Sequence, residues 1–383
     1  VSEFVAADVT HRPGPVESRT GGATPLFICG TARSGTTLLV ALLDSHPALA
    51  VFPDETYWYR LLTDRPLSCI AWHVLEFCEL HSLKAVFGRP PLTVLAFQGR
   101  RGLMRRLVAW SQTFPHCDAA AAEREVREVV DRNGGRHSYW QCFLDLYDRL
   151  AGESSGGKRY WVEKTPSNER FVPLMEDVFR ATGRYLHILR DPRDVIASWV
   201  LRTKAEGTAR ARTLVHVCYS WSQSIHMSLV NLKLCAGRYH VLRYEDLVRD
   251  TAYAVEGIAQ FLGIQRADLL RTPTKSGMAA PHNSSFSDVD PRPSGILRSQ
   301  IGRHGDVLSL QEMELVESLL YRQMEACGYT PSTERAEPGA STVARIRGAG
   351  ARDVPSLVKA KMIARWERRI TVGPDIVPRP GTR

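Results

Sequence analysis

Residues 25–45, PLFICGTARSGTTLLVALLDS, pass from a short apolar run through a glycine-bounded turn into a second apolar run with helical spacing. A buried strand, a tight turn and a helix in that order aim backbone N–H groups at one point. That is a geometry for holding an anion. The turn GTARSGTT (30–37) keeps the glycine and threonine spacing of the nucleotide phosphate loop, G-x-x-x-x-G-K-[ST]. Its lysine is replaced by Thr36, and a cation, Arg33, sits inside the loop instead.

The rest of the chain repeats the alternation. ALAVF (48–52), YWVEK (160–164), RYLHIL (184–189) and YHVLRY (239–244) read as strands. Helices are expected near 36–45, 168–181, 192–203, 209–236, 251–262 and 309–327, with Gly328 stopping the last. Strands alternating with helices predict an α/β fold with a central, mostly parallel sheet flanked by helices. Residues 60–150 read as a helical insertion after the second strand. Residues 272–306, rich in Pro, Gly, Ser and Asn, are too long for an idle connection and suit a lid. Residues 1–24 read as a mobile lead-in, 25–330 as the main folded body, and 331–383 as a basic tail.

Charge follows that division. Of the formal net charge of +9, the tail supplies +6 (11 Lys/Arg against 5 Asp/Glu), which leaves +3 for the first 330 residues. The basic balance therefore describes the tail more than the body, and no nucleic-acid motif accompanies it. In the tail, Val358, Met362, Trp366 and Ile370 share one stripe of a short amphipathic helix among Lys and Arg. Docking on the body is expected, with a membrane surface or partner chain as the alternative, and removal after residue 333 is expected to leave a folded protein. Arg100, Arg101, Arg105 and Arg106 in the insertion suit a solvated helix face, or attraction of an acidic acceptor. The eight cysteines are scattered without metal or disulfide spacing, which predicts no metal and reduced thiols in a cytoplasm. No run is long and apolar enough for a transmembrane span, and a homodimer is left open.

A second motif, LHILRDPRDVIASWVLR (186–202), places Asp191 to cap a helix that begins at Pro192. Arg190 falls beside the helix start, and Ser198 and Arg202 share one face. These three could surround a second phosphate, or be a capped helix with solvated arginines. Together with LRYEDL (242–247) and EKTP (163–166), the two motifs resemble the sulfotransferases that use 3′-phosphoadenosine 5′-phosphosulfate (PAPS). Arg33, the E-T of residues 55–56 and Arg202 look like the protein-tyrosine sulfotransferase branch and its bacterial relatives.

The resemblance implies a P-loop-type sulfotransferase fold and transfer of the PAPS sulfonate to an acceptor hydroxyl, leaving 3′-phosphoadenosine 5′-phosphate (PAP), without a metal. It assigns Arg33, Ser34, Gly35, Thr36 and Thr37 to the 5′-phosphosulfate, and Arg190, Ser198 and Arg202 to the 3′-phosphate. Tyr244 matches a cofactor-binding tyrosine, Ser284 a serine near the sulfonate, and Arg298 and Arg303 supply the lid's contacts. Glu55 matches the general base, with Asp54 as a rival, and Lys164 matches a lysine that offsets charge at the sulfonate. Arg33 is the third catalytic candidate. The acceptor stays open among a small molecule, a sugar, a lipid and a peptide tyrosine. Two other readings stay open: a P-loop kinase using ATP and Mg²⁺ held by Asp191, and a binding module without catalysis on the same scaffold.

Overall fold

The computed structural model describes residues 23–52, 55, 108, 118–132, 158–178, 182–275, 277–280, 285, 295–332, 346, 354–370 and 376. Most of the expected insertion, including its four arginines, lies outside the described residues, as do the lead-in and parts of the lid and tail.

Five strands, β1 (Thr24–Cys29), β2 (Leu49–Val51), β3 (Tyr160–Lys164), β4 (Arg184–Leu189) and β5 (Tyr239–Arg243), form one sheet in the order β2-β3-β1-β4-β5. Every pairing is parallel, with Ile28 opposite Lys164 and Cys29 opposite His187. The strands are buried on both faces, so they read as continuous apolar runs. Alternation along β1 still sorts the core into two layers. Leu26 and Ile28 join a cluster with α1 (Thr36–Leu43), α6 (Tyr244–Arg249) and α7 (Thr251–Leu262). Phe27 and Cys29 point to the other layer, with α2 (Ala119–Arg132), α4 (Pro192–Thr203), α5 (Gly207–Leu234) and α8 (Leu310–Ala326). Helix α3 (Val172–Val178) follows a short 3₁₀ turn after β3. The Phe27 ring meets Trp161 edge-on at 5.4 Å and stacks on Tyr185 at 5.8 Å, tying the three central strands together.

β1 has β3 on one side and β4 on the other, so the chain crosses over β1 between them. Open α/β sheets bind ligands at such a switch point, beyond the carboxyl ends of the strands. There the chain places the loop after β1, Lys164 at the end of β3, and the turn after β4. Within the expected lid, a small antiparallel pair, β6 (Thr274–Lys275) and β7 (Met278–Ala279), is tied to the end of α1. Asp44 accepts from the Thr274 hydroxyl at 2.8 Å and from Gly277 N–H at 2.9 Å.

The helix of the tail packs against the body. Helix α9 (Val354–Arg369) packs Ala360, Ile363 and Trp366 into the same cluster as α5 and α8, followed by Ile370. Trp366 stacks on His226 and lies 5.4 Å from Tyr219. The buried Glu367 carboxylate accepts from the Arg322 and Gln323 N–H groups, each at 3.0 Å. Of the expected stripe, Trp366 and Ile370 are buried while Val358 and Met362 are half-buried. The hydrophobic term outweighs the charge: the Lys and Arg side chains can stay in water while the apolar seam leaves it. Among the described residues no helix is long and apolar enough to cross a membrane.

This packing carries a prediction. Trp366→Ala should destabilise the fold by about 3–5 kcal/mol, as for other buried aromatics cut to alanine. Chemical denaturation checks it, and an unchanged midpoint would mean that α9 is a loose appendage.

Candidate active site

The loop after β1 is shaped by backbone conformations that few side chains allow. Gly30 (φ 135°), Arg33 (φ 74°) and Gly35 (φ 102°) all have positive φ. Thr31 carbonyl closes the turn by accepting from Ser34 N–H at 3.1 Å and from the Ser34 hydroxyl at 2.6 Å. Gly35 caps α1 without a side-chain acceptor, so no capping side chain takes up the helix's first N–H groups. A Cβ on Gly35 would collide with Cδ2 of the Tyr244 ring. The glycine is thus required twice, by its φ and by the tyrosine that closes the loop from the start of α6.

The turn after β4 is pinned from beneath. Arg190 carbonyl accepts from the Trp221 indole N–H at 2.9 Å, and Asp191 N–H donates to the buried Glu245 carboxylate at 2.9 Å. Burial pushes Glu245 up to about 7, against the opposing hydrogen bond from Asp191. Asp191 caps α4, accepting from Arg193 N–H at 2.9 Å, with Pro192 at the first helical position. Held in this way, the Arg190 guanidinium lies 4.5 Å from the Tyr244 ring centroid and donates to Gln300 carbonyl at 2.5 Å. Asp194, one turn along α4, is 3.6 Å from the same guanidinium. It also accepts from Gly302 N–H at 2.8 Å and His304 N–H at 3.0 Å, fastening that segment of chain beside Arg190. Although burial opposes it, hydrogen bonding from His304 and the Arg190 charge hold Asp194 below its ordinary value.

Arg33 reaches two side chains outside its own loop. Its guanidinium donates to the Ser198 hydroxyl at 2.9 Å and to the Ser285 hydroxyl at 2.7 Å, and Ser198 and Ser285 lie 3.1 Å apart. The two phosphate groups of residues expected to be separate therefore share Arg33. Burial, then the charges of Arg202 and Arg190, lower the Arg33 pKa to about 10. A desolvated cation crowded by like charges is stabilised by any anion placed among them.

On the other side of the loop, the Lys164 ammonium donates to Glu55 Oε1 at 2.5 Å. The pair is largely buried, with side-chain exposures of 10% and 25%. A base beside a cation that cannot accept a proton suits chemistry in which a hydroxyl loses its proton while negative charge grows nearby.

One cavity of about 470 Å³ joins these parts. Its lining includes Arg33, Gly35, Thr36, Thr37, Glu55, Lys164, Arg190, Ser198 and Tyr244. Other expected site residues do not line the cavity: Ser34 is buried with its hydroxyl turned back to Thr31, Arg298 is exposed, Arg303 donates to Asp306 at 2.9 Å, and Arg202 is exposed but near enough for its charge to act on Arg33. Ser284 and Asp54 lie outside the described residues, but the neighbouring Ser285 lines the cavity. Sequence reasoning missed Ser285 and Gln300, which come from the long segment after β7, and Trp221, which acts through its indole N–H from a distant helix. Asp194 had a signal, its spacing of one helical turn from Arg190.

These cations around one cavity at the carboxyl edge of the sheet suit an anionic ligand. A family model described as "Sulfotransferase family" matches residues 25–268, and the chain belongs to that family. Carbohydrate sulfotransferase 1 of Rattus norvegicus is 30% identical over 276 residues, covering 63% of this chain and 64% of that protein. The chain thus spans less than two thirds of that relative's length. Among solved structures, a sulfotransferase domain from the curacin biosynthetic pathway is 22% identical with a TM-score of 0.49, covering 78% of this chain and 98% of that one. A sulfotransferase domain of the Synechococcus PCC 7002 olefin synthase is also 22% identical, with a TM-score of 0.45, 78% of this chain and 96% of that one.

The fit of Gly35 to Tyr244 is testable. Gly35→Ala combines left-handed strain of about 1–3 kcal/mol with a ring collision. It should lower the thermal midpoint by about 2–4 °C for each kcal/mol and remove measurable PAP binding in calorimetry. Tyr244→Ala in that background relieves the collision but not the strain, so recovery should be partial. Wild-type affinity in Gly35→Ala would show that the loop does not hold the nucleotide.

Proposed function

We propose that the chain transfers the sulfonate of PAPS to a hydroxyl of an acceptor, by in-line displacement with Glu55 as general base. The observation that carries this reading is the Lys164–Glu55 pair, 2.5 Å apart, lining the same cavity as the loop and the Arg190–Ser198 corner. The donor fits the residues present. The glycine cradle leaves room for close backbone approach, and Arg33, Arg190 and Ser198 offer charge-assisted contacts for its phosphate groups. When bound, PAPS supplies the sulfonate group.

The chain's own residues divide the rest of the work. Thr36, Thr37 and the first N–H groups of α1 hold the 5′ end, and the Arg190 corner holds the 3′-phosphate. Glu55 removes the proton of the acceptor hydroxyl as its oxygen bonds to sulfur. Lys164 stabilises the negative charge that returns to the donor oxygen as the old sulfur–oxygen bond breaks. The name of the Rattus norvegicus relative, a carbohydrate sulfotransferase, supports a carbohydrate hydroxyl as the acceptor. The kinase alternative is weaker on geometry, because Asp191, its magnesium ligand, is taken up by Arg193 at both carboxylate oxygens.

Glu55→Gln keeps the shape and removes the basicity. Transfer from labelled PAPS to a panel of oligosaccharides should fall by at least about a hundredfold, while PAP affinity changes little. Full activity in Glu55→Gln would remove Glu55 from the role of base.

A further inference from the structure

Behind the phosphate loop lies a buried acid that the chemistry above does not use. Glu169 is fully buried, and its Oε2 accepts from Gly30 N–H at 2.9 Å. Its Oε1 has no hydrogen-bond partner among the described residues. A buried carboxylate is costly unless its bonds repay it, so the hydrogen bond to Gly30 is what accounts for its place. Gly30 is the first residue of the loop, and its N–H is turned inward to this carboxylate.

The neighbouring contacts repeat the grip. Gly30 carbonyl accepts from Ser167 N–H at 2.9 Å, so both polar groups of Gly30 are held by the segment that follows β3. Asn168, between them, donates to Ile28 carbonyl at 3.0 Å and to the buried Glu163 carboxylate at 2.7 Å. Ser167 adopts φ 70°, a conformation that persists in a non-glycine residue only where its surroundings enforce it. From α5, the Asn231 side chain donates to Glu169 carbonyl at 2.8 Å, fixing the clamp itself. Gly30 has no slack in which to drift. A Cβ there would sit 2.6 Å from Ile188 carbonyl oxygen and 2.9 Å from Ser34 Oγ.

From this arrangement we propose that Glu169 is a positioning residue, which locks the start of the phosphate loop to the segment that carries Lys164. The inference rests on the sulfonate-transfer reading, because its consequence is alignment. The loop holds the donor, Lys164 and Glu55 hold the reacting end, and the 163–169 segment sets one against the other. Misplacement by about 1 Å can cost a hundredfold in rate even where binding survives. Glu169 touches neither reactant; it acts through Gly30.

The experiment compares Glu169→Ala, Glu169→Gln and Glu169→Asp with wild type, using PAP calorimetry, thermal unfolding, and kcat and KM with labelled PAPS. Gln keeps an acceptor oxygen for Gly30 N–H and should stay within about threefold of wild type in affinity and kcat. Ala leaves that N–H unpaired, so kcat should fall about a hundredfold while PAP affinity falls no more than about tenfold. If Ala does not fold, Asp decides, because its shorter side chain keeps the carboxyl group but withdraws the oxygen. Impaired Asp with active Gln supports the proposal; active Asp with dead Gln, or Ala indistinguishable from wild type, overturns it. If wild type itself binds PAP but transfers no sulfonate, the functional reading fails. The affinity and unfolding comparisons still report whether Glu169 holds the loop.

Discussion

The Tyr244 ring sits between two groups that come from different strands: Gly35, at the start of α1, and the Arg190 guanidinium, 4.5 Å from the ring centroid. Its packing against Gly35 leaves no space for a side chain there, and its face carries the cation of the β4 turn. Three loop regions at the carboxyl edge of the sheet are set against one another by this one side chain. The parallel order β2-β3-β1-β4-β5 makes that convergence possible, because it puts β1 in the middle and β4 and β5 next to it.

Around this contact the protein spends buried polar groups on stiffness. Glu245 holds Asp191 from below and accepts from Tyr329 hydroxyl at 3.0 Å. Arg193 joins Asp191 to Glu317 at 2.7 Å, and Glu317 in turn accepts from Ser332 N–H at 2.9 Å. The turn that carries Arg190 is thereby connected to α8 and to the chain just beyond it. Such networks favour one arrangement because an unpaired partner is expensive in a low-dielectric interior. Mutually repelling cations, Arg33 among them, are then left to face the cavity, where an anion lowers their energy.

The sequence made legible whatever depends on local pattern. The strand–loop–helix unit, the order of strands and helices, and the capped helix after Arg190 follow from periodicity, glycine and proline chemistry. Lys164 and Glu55 were legible only by resemblance, and the structure brings them to 2.5 Å. What failed to show was non-local or conformational. Arg33 has a left-handed φ that comes from the loop as a whole, and it reaches Ser198 and Ser285 by way of that turn. Ser285 and Gln300 come from a segment whose path composition does not encode. Glu169 lies in a stretch with no motif of its own. The α9 helix was recognised as amphipathic, but the depth of Trp366 in the core depends on partners in α5 and α8.

The central claim is that this cavity moves sulfur and not phosphorus. The direct measurement presents the full chain with ³⁵S-labelled PAPS, or separately with γ-labelled ATP and magnesium, and a set of carbohydrate acceptors. The account predicts ³⁵S in an acceptor, matched mole for mole by PAP, and no transfer of phosphorus. Phosphorus in the acceptor, or PAPS left intact with every acceptor while ATP is consumed, would contradict it.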